Sequence, residues 1–179
     1  MTGNQTHYFS TNVASLEDVE STHQDIVASL GSPTILIANA GVFNGKTILE
    51  ACENDLCRTF DVNVLGTLFC IQAFLPSMIA ANHGHIIVTS SIKAYIAAAS
   101  AVDYSASKAA VTSVVAGLQT ELKHKYGNPS VKASAIFPAV VKTNMSSGIS
   151  QSVNSFIMPV LESAEVAERI VQVLCRGQR

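Results

Sequence analysis

The chain of 179 residues is 48% hydrophobic and only 13% charged, with a net charge of −2. This composition excludes a disordered chain, and the lack of a basic cluster argues against a nucleic-acid partner. The length suffices for one domain with a sizeable buried core. The polar N-terminus has no pattern of a signal peptide or an anchor.

The histidines and cysteines give no pattern of a metal site. His83 and His85 precede a predicted strand without two further ligands nearby in sequence, so we predict structural histidines and no metal. No cysteine spacing is typical of a zinc or redox pair, so we expect reduced thiols in the core of an intracellular protein. The cysteines are Cys52, Cys57, Cys70 and Cys175.

Hydrophobic patterning predicts two short strands and one helix near the N-terminus. Residues 7–10 are a strand candidate. A helix begins at Ser15, where Asp18 completes a variant of the capping box, and it ends at Gly31. Residues 34–38 (TILIA) are continuously apolar, which is typical of a strand in a sheet covered on both faces.

The rest of the chain continues this alternation. The predicted strands are residues 85–89 (HIIVT) and 131–137 (VKASAIF), and the predicted helices run from about Ile48, over 61–80, 101–126 and 163–175. Such alternation predicts an α/β fold with a doubly wound parallel sheet, in one domain over residues 1–179. Ligands bind such sheets at the carboxyl ends of the strands, so functional residues are expected there.

One apolar run, residues 62–81, is long enough to cross a bilayer. Asn63, Gln72 and Pro76 interrupt it, and no basic flank marks an inner end. We therefore predict a buried helix and no membrane span in this chain.

Three side chains form a candidate catalytic group. Tyr104 and Lys108 are four residues apart at the start of a predicted helix, so they share one face. A phenol with a pKa of about 10 is a poor acid at neutral pH, and a nearby ammonium lowers that pKa. Ser91 follows the strand at 85–89 and can hold the same carbonyl oxygen from the other side. This group predicts proton exchange with a carbonyl or an alkoxide.

Five stretches occur in the order that the classical short-chain dehydrogenase/reductase family has them. They are Asn39-Ala40-Gly41 after a strand, Asn63 in DVNVLG, Ser91 in VTSS, Tyr104-x-x-x-Lys108, and PAVVKT at residues 138–143. The resemblance covers about residues 11–176. NHGHIIVTSS and DYSASKAAV resemble the retinol and 17-beta-hydroxysteroid dehydrogenase-like branch most.

The resemblance implies an oxidoreductase that interconverts a secondary alcohol and a carbonyl on a lipophilic substrate, with NAD or, slightly favoured, NADP. It implies Tyr104 as general acid/base and Lys108 as a ligand of the nicotinamide ribose that lowers the Tyr104 pKa. Ser91 would hold the substrate carbonyl, and Asn63 a water that links Lys108 to solvent. Beyond Tyr104 and Lys108, the implied cofactor-binding residues are Asn12, Val13, Asn39, Ala40, Gly41, Pro138, Val141 and Thr143.

Three positions depart from the family's pattern. The usual Asn-Asn-Ala-Gly is Ala38-Asn39-Ala40-Gly41, which is a mild change. The usual Pro-Gly is Pro138-Ala139, which restricts the backbone if that position needs a positive φ. The usual Asp-Val that contacts adenine is Asn12-Val13, where the amide oxygen can still accept a hydrogen bond.

The family's glycine-rich phosphate loop would lie upstream of Thr11, where ten residues and one glycine, Gly3, are present. A strand–helix–strand unit needs about thirty residues or more. We therefore expect an incomplete doubly wound Rossmann-like sheet that lacks the family's first two strands, and probably truncation at the C-terminus too. The strand at 34–38 would become an exposed edge, residues 7–10 would be loose or pair with it, and cofactor binding would weaken.

Alternatives remain open. Residues 40–47 resemble a Walker A loop, but the later strands end in no carboxylate for a metal ion, which favours a plain loop. The chain is alternatively a catalytically impaired, truncated remnant that acts as a non-enzymatic or dimerising partner. By the resemblance, helices 61–80 and 101–126 would pair in a homodimer. We expect a cytoplasmic location, peripheral to endoplasmic reticulum or lipid droplets if a full-length form has an N-terminal anchor.

Overall fold

The protein alternates helices with three parallel strands in the computed structural model, which describes residues 5–127, 130–143, 145 and 160–176. The strands are β1 Ile35–Ala38, β2 Gly84–Thr89 and β3 Val131–Ile136. The helices are α1 Leu16–Leu30, α2 Glu53–Phe60, α3 Gly66–Ala80, α4 Val102–His124 and α5 Ser163–Arg176, with a π-helical turn at Asp61–Leu65 and a 3-10 turn at Ile92–Ala94. This order confirms the predicted α/β class.

The sheet has the order β1-β2-β3 with every pairing parallel. Ile37 lies beside Ile87, and Ile87 lies beside Ser134. Among the described residues these are the three strands predicted for a sheet without the family's first two strands, so that prediction is confirmed. Residues 7–10 form no strand.

One face of the sheet carries the core. Leu36, Ile86, Val88, Val131 and Ala133 occupy the same-facing positions and join one hydrophobic cluster with α3 and α4. On the opposite face of β1, Ile35 and Ile37 are 47% and 43% exposed. The exposed edge is as predicted. The prediction that the strand at 34–38 is covered on both faces is wrong, because α1, α3 and α4 share one cluster on a single side.

The helix termini follow the local sequence. The Asp18 amide donates to Ser15 Oγ at 3.2 Å, and Gly31 ends α1 with φ +83°, so both predicted ends are confirmed. The helix expected from Ile48 begins at Glu53 instead. Thr47 closes a turn before it, since its amide donates to the Glu50 carboxylate at 2.9 Å.

The cysteines are free, but the prediction that they are core thiols is wrong for most of them. Cys52, Cys57 and Cys175 are exposed. Cys70 is partly buried, and burial raises the pKa of its thiol. Cys52 is at the start of α2, where its amide donates to the Asp55 carboxylate at 3.0 Å.

In the described part of the chain, one helical segment, Glu53–Ala80, is long and apolar enough to cross a membrane. Its residues Ile71, Phe74 and Met78 are buried against the sheet. This packing is typical of a core helix. The absence of a membrane span stays a prediction.

Candidate active site

A cleft of about 1210 Å³ opens at the carboxyl ends of the strands. This is the edge at which the sequence predicts a site. Eight of the predicted site residues line the cleft: Asn39, Gly41, Ser91, Tyr104, Lys108, Pro138, Val141 and Thr143. Lys93, which follows Ser91 in a short turn, lines it too.

Lys108 lies on the first turns of α4, beside the end of β2. Its Nζ atom donates to the Thr89 carbonyl oxygen at 2.8 Å and lies 5.6 Å from the centre of the Tyr104 ring. The side chain is nearly inaccessible, and burial lowers the pKa of Lys108 to about 8. An amine with this pKa is mostly charged at neutral pH but releases its proton within the range of enzyme chemistry.

Ser91 and Tyr104 face the same cleft from two different elements. Ser91 is buried and begins the 3-10 turn, where its Oγ accepts from the Lys93 amide at 3.2 Å. Burial raises the pKa of Tyr104, and a hydrogen bond with the Ser91 side chain lowers it by a smaller amount. The two side chains therefore lie near each other, while the Ser91 hydroxyl itself donates to the Pro138 carbonyl at 3.5 Å.

The predicted lowering of the Tyr104 pKa by Lys108 is wrong for this structure, in which the pKa of Tyr104 is raised. The physical reason is the burial of the phenol. Removing the phenolate from water is unfavourable by more free energy than the Ser91 hydrogen bond contributes in its favour. Lys108 directs its ammonium at the Thr89 carbonyl instead of the phenol oxygen.

Asn63 lies behind the cleft, in the π-helical turn, and is 1% exposed. Its Oδ1 accepts from the Val42 amide at 2.7 Å, and its Nδ2 donates to the Val42 carbonyl at 3.0 Å and to Ser107 Oγ at 2.9 Å. The side chain thus joins the loop after β1 to α4. The water relay through Asn63 stays a prediction.

Gly41 separates Asn63 from Lys108. A Cβ atom at this position would lie 3.4 Å from Asn63 Oδ1 and 3.5 Å from Lys108 Nζ. Both distances are ordinary van der Waals contacts, so a methyl group would fit there and would fill the space that the glycine leaves beside the buried amine.

Three predicted cofactor-binding residues are not among those that line the cleft. Asn12 lies in the turn before α1, where its Oδ1 accepts from the Ala14 amide at 3.2 Å. Val13 packs against Gly66 at the start of α3. Ala40 is exposed. By contrast, Ala139 lines the cleft without a positive φ, so the change from glycine strains no backbone there.

The Walker A alternative finds no support in the loop at 40–47. Lys46 Nζ forms an ion pair with the Asp55 carboxylate at 2.6 Å, and Thr47 Oγ1 donates to Glu50. The lysine and the hydroxyl that a phosphate and its metal ion would need are therefore held by carboxylates. In the described residues no three metal-ligating side chains cluster, and His85 Nε2 is within 2.9 Å of Ser134 Oγ.

Sequence reasoning missed a buried polar group beside Tyr104. The Asp103 carboxylate accepts from Asn44 Nδ2 at 2.7 Å and from Thr59 Oγ1 at 2.8 Å. Its partners are 59 and 44 residues away in sequence, so no local pattern indicates them. The single available signal was an acidic residue directly before the candidate catalytic tyrosine.

The cleft has features that fit a polar ligand. Thr89 Oγ1 is buried in the cleft wall without a hydrogen-bond partner, and buried polar atoms of this kind are normally satisfied by something. Gly41 leaves space beside the Lys108 amine. These two residues are therefore compatible with a polar ligand in this part of the cleft.

A parallel α/β sheet that has a tyrosine, a lysine and a serine at its carboxyl edge is typical of nucleotide-dependent oxidoreductases. The sequence model of the short chain dehydrogenase family matches residues 1–154. The chain belongs to this family, which confirms the resemblance seen in the sequence.

Among curated relatives, epidermal retinol dehydrogenase 2 of Mus musculus is 30% identical over 175 residues, covering 96% of this chain and 55% of the relative. This similarity confirms the predicted retinol and hydroxysteroid dehydrogenase-like branch. The chain spans about half the length of the curated relatives it matches.

Solved structures agree with the fold. An alcohol dehydrogenase from Thermococcus sibiricus, complexed with 5-hydroxy-NADP, has a TM-score of 0.79 and 26% identity, covering 93% of this chain and 67% of that one. A short chain dehydrogenase/reductase from Burkholderia phymatum, in complex with NAD, has a TM-score of 0.72 and 31% identity, covering 76% and 48%.

Proposed function

We propose that this chain carries the catalytic half of an oxidoreductase that interconverts a secondary alcohol and a carbonyl with a nicotinamide cofactor. The observation that carries the proposal is the meeting of Ser91, Tyr104 and Lys108 in one cleft at the end of β2. A carbonyl placed in this cleft would meet two hydroxyl donors and a nearby ammonium, which is the arrangement that stabilises a developing alkoxide.

Tyr104 is the general acid/base of the proposal. Burial keeps its pKa above the ordinary value, so the phenol holds its proton at neutral pH. It therefore donates that proton to the carbonyl oxygen in the direction of reduction. Ser91 holds the same oxygen, and the Lys108 ammonium adds positive charge beside the ring.

The proposed cofactor is NAD or NADP, with NADP slightly favoured, and when bound it supplies hydride. Relatives of known structure hold each kind of nicotinamide nucleotide. The residues proposed to hold it are Asn39, Gly41, Lys108 and the segment 138–143. That segment is fastened in place, because the Lys142 amide donates to the Leu161 carbonyl at 2.9 Å and Ile92 donates to Pro138.

The proposed substrate is a lipophilic alcohol or carbonyl compound, with retinoids and steroids as first candidates from the relatives' branch. The cleft suits such a compound, since apolar side chains of α5 and of the loop after β1 form much of its wall. We also propose a homodimer through the helices at 61–80 and 101–126, to be tested by sedimentation.

The test compares Tyr104→Phe with Tyr126→Phe. Both remove one hydroxyl, but Tyr126 lies beyond α4 and outside the cleft. With NADPH or NADH and a 17-ketosteroid, whose reduction gives a secondary alcohol, Tyr104→Phe should lower kcat by a factor of about 100 to 10,000. It should leave cofactor binding, followed by fluorescence, unchanged. Tyr126→Phe should match the wild type. Full turnover by Tyr104→Phe, or no saturable binding of either nucleotide at millimolar concentration, would overturn the proposal for this chain.

A further inference from the structure

In the loop after β1, the residues directly before and after Phe43 form hydrogen bonds with buried polar side chains. The Val42 backbone exchanges two hydrogen bonds with the Asn63 amide, at 2.7 and 3.0 Å. Two residues on, Asn44 Nδ2 donates to the Asp103 carboxylate at 2.7 Å. Asn63 and Asp103 are almost inaccessible to solvent. Phe43, which lies between these two anchors, therefore has little freedom to move.

Asp103 connects this loop to the helix that carries Tyr104. Its carboxylate also accepts from Thr59 Oγ1 at 2.8 Å, so one buried group joins the loop, α2 and α4. It lies in the first turn of α4, where the helix amides favour a negative charge. Because Asp103 directly precedes Tyr104, the loop and the tyrosine are held as one unit.

From this fixed position, the Phe43 ring contacts the phenol ring of Tyr104. Its ring meets the Tyr104 ring edge to face, with centres 5.4 Å apart and an interplanar angle of 74°. This is a favoured geometry for an aromatic pair. Both rings line the cleft, and the Lys108 amine is also near the Tyr104 ring.

We propose that Phe43 is a positioning residue for Tyr104: clamped by Asn63 and Asp103, its ring orients the phenol toward Ser91 and keeps water from it. This inference rests on the proposed function, because it gives Phe43 a role in the same proton transfer. It does not require Phe43 to touch the reacting atoms.

The kinetic test uses the full chain with Phe43→Ala, with Phe43→Tyr as the conservative variant. Phe60→Ala is the matched control, since Phe60 is a partly exposed aromatic residue that does not line the cleft. Phe43→Ala should lower kcat about tenfold, the upper limit for an aromatic pair, and leave KM for the nucleotide unchanged. Phe43→Tyr should restore most of kcat, and Phe60→Ala should have no effect.

A second readout does not depend on turnover. Burial raises the pKa of Tyr104, so loss of the neighbouring ring should admit water and move the phenol titration to lower pH. Ultraviolet absorbance follows phenolate formation, and subtraction of the Tyr104→Phe titration isolates this one residue. If Phe43→Ala does not fold, Phe43→Leu takes its place, and folding is checked by circular dichroism.

The outcomes separate this inference from the proposed function. Unchanged kcat and an unchanged Tyr104 titration in a folded Phe43 variant would overturn the role of Phe43, while an inactive Tyr104→Phe variant would leave the proposed function standing. Full turnover by Tyr104→Phe would overturn the proposed function. The phenol titration would then still decide whether Phe43 shields Tyr104.

Discussion

The two faces of the sheet differ in what covers them. On the face toward α3 and α4, Ile86 and Val88 are almost fully buried in the main hydrophobic cluster. On the other face, Ile35 and Ile37 of β1 are nearly half exposed. The covered face supports α4, which carries Tyr104 and Lys108, so the proposed chemistry depends on the well-packed side. The open part of this face lies at β1 and carries apolar surface that contributes little to folding, whereas Ile87 of β2 on the same face is fully buried.

The largest contrast is expected from the same substitution on each face. Ile86→Ala should lower the free energy of unfolding by about 2–5 kcal/mol, because it leaves a cavity in the main cluster. Ile35→Ala should cost less than about 1 kcal/mol, since its side chain is already half exposed in the folded state. Urea denaturation followed by circular dichroism measures both. Equal losses would show that the open face is covered in solution.

The pKa of Lys108 tests whether water is excluded from the well-packed side of the sheet. Burial lowers the pKa of Lys108 to about 8, from 10.5 in the unfolded chain. Between these pH values the unfolded chain holds a proton that the folded chain has released, so the free energy of unfolding rises with pH. The shift corresponds to at most about 3 kcal/mol.

The measurement compares the wild type with Lys108→Met, which removes this titration. The stability of the wild type relative to the variant should rise by about 2–3 kcal/mol between about pH 7.5 and 10. Tyr104 ionises later and acts in the opposite direction, because burial raises its pKa. A difference that does not vary with pH would mean that water reaches the Lys108 amine.

Two glycines give a smaller contrast. A Cβ atom at Gly84 would lie 2.6 Å from Cγ of the buried Met78, so Gly84→Ala should destabilise the fold by about 1–3 kcal/mol. Gly117 lies on the exposed side of α4 with nothing within 4 Å of a new Cβ atom. Gly117→Ala should therefore stabilise the chain by about 0.5–1 kcal/mol. Thermal unfolding measures both shifts, and a stabilised Gly84→Ala variant would contradict this account of the covered face.

The sequence predicts the strands and the helices, but it does not predict which face of the sheet the helices cover. The continuous apolar run at 34–38 identifies β1 correctly, yet it does not distinguish a strand buried on both faces from one with an open face. The cap at Ser15 and the stop at Gly31 depend on near neighbours and were therefore predictable. Covering depends on which helices pack where, and that is a long-range property.

The same limit applies to the candidate site. Ser91, Tyr104 and Lys108 were found because motif order and the strand ends place them at one edge. The hydrogen bonds from Asn44 and Thr59 to Asp103 were not predicted, because each joins parts of the chain that are distant in sequence. The raised pKa of Tyr104 was missed for a related reason, since burial of the phenol is a tertiary effect, and here it outweighs the hydrogen bond with Ser91.

A charged residue on the exposed face of β1 should have the smallest effect on the free energy of unfolding. Its effect on self-association should nevertheless be measurable. Exposed apolar edge strands promote pairing between chains, so the wild type should self-associate as its concentration rises. Ile35→Lys should suppress this association and change the free energy of unfolding by about 0.5 kcal/mol or less. Leu49→Lys is the matched control, because Leu49 is 94% exposed in a turn outside the sheet. Sedimentation velocity over a concentration series compares the three proteins. Suppression by Ile35→Lys alone would assign the contact to the open face, whereas equal association of both variants would mean that chains meet through another surface, such as the helices at 61–80 and 101–126.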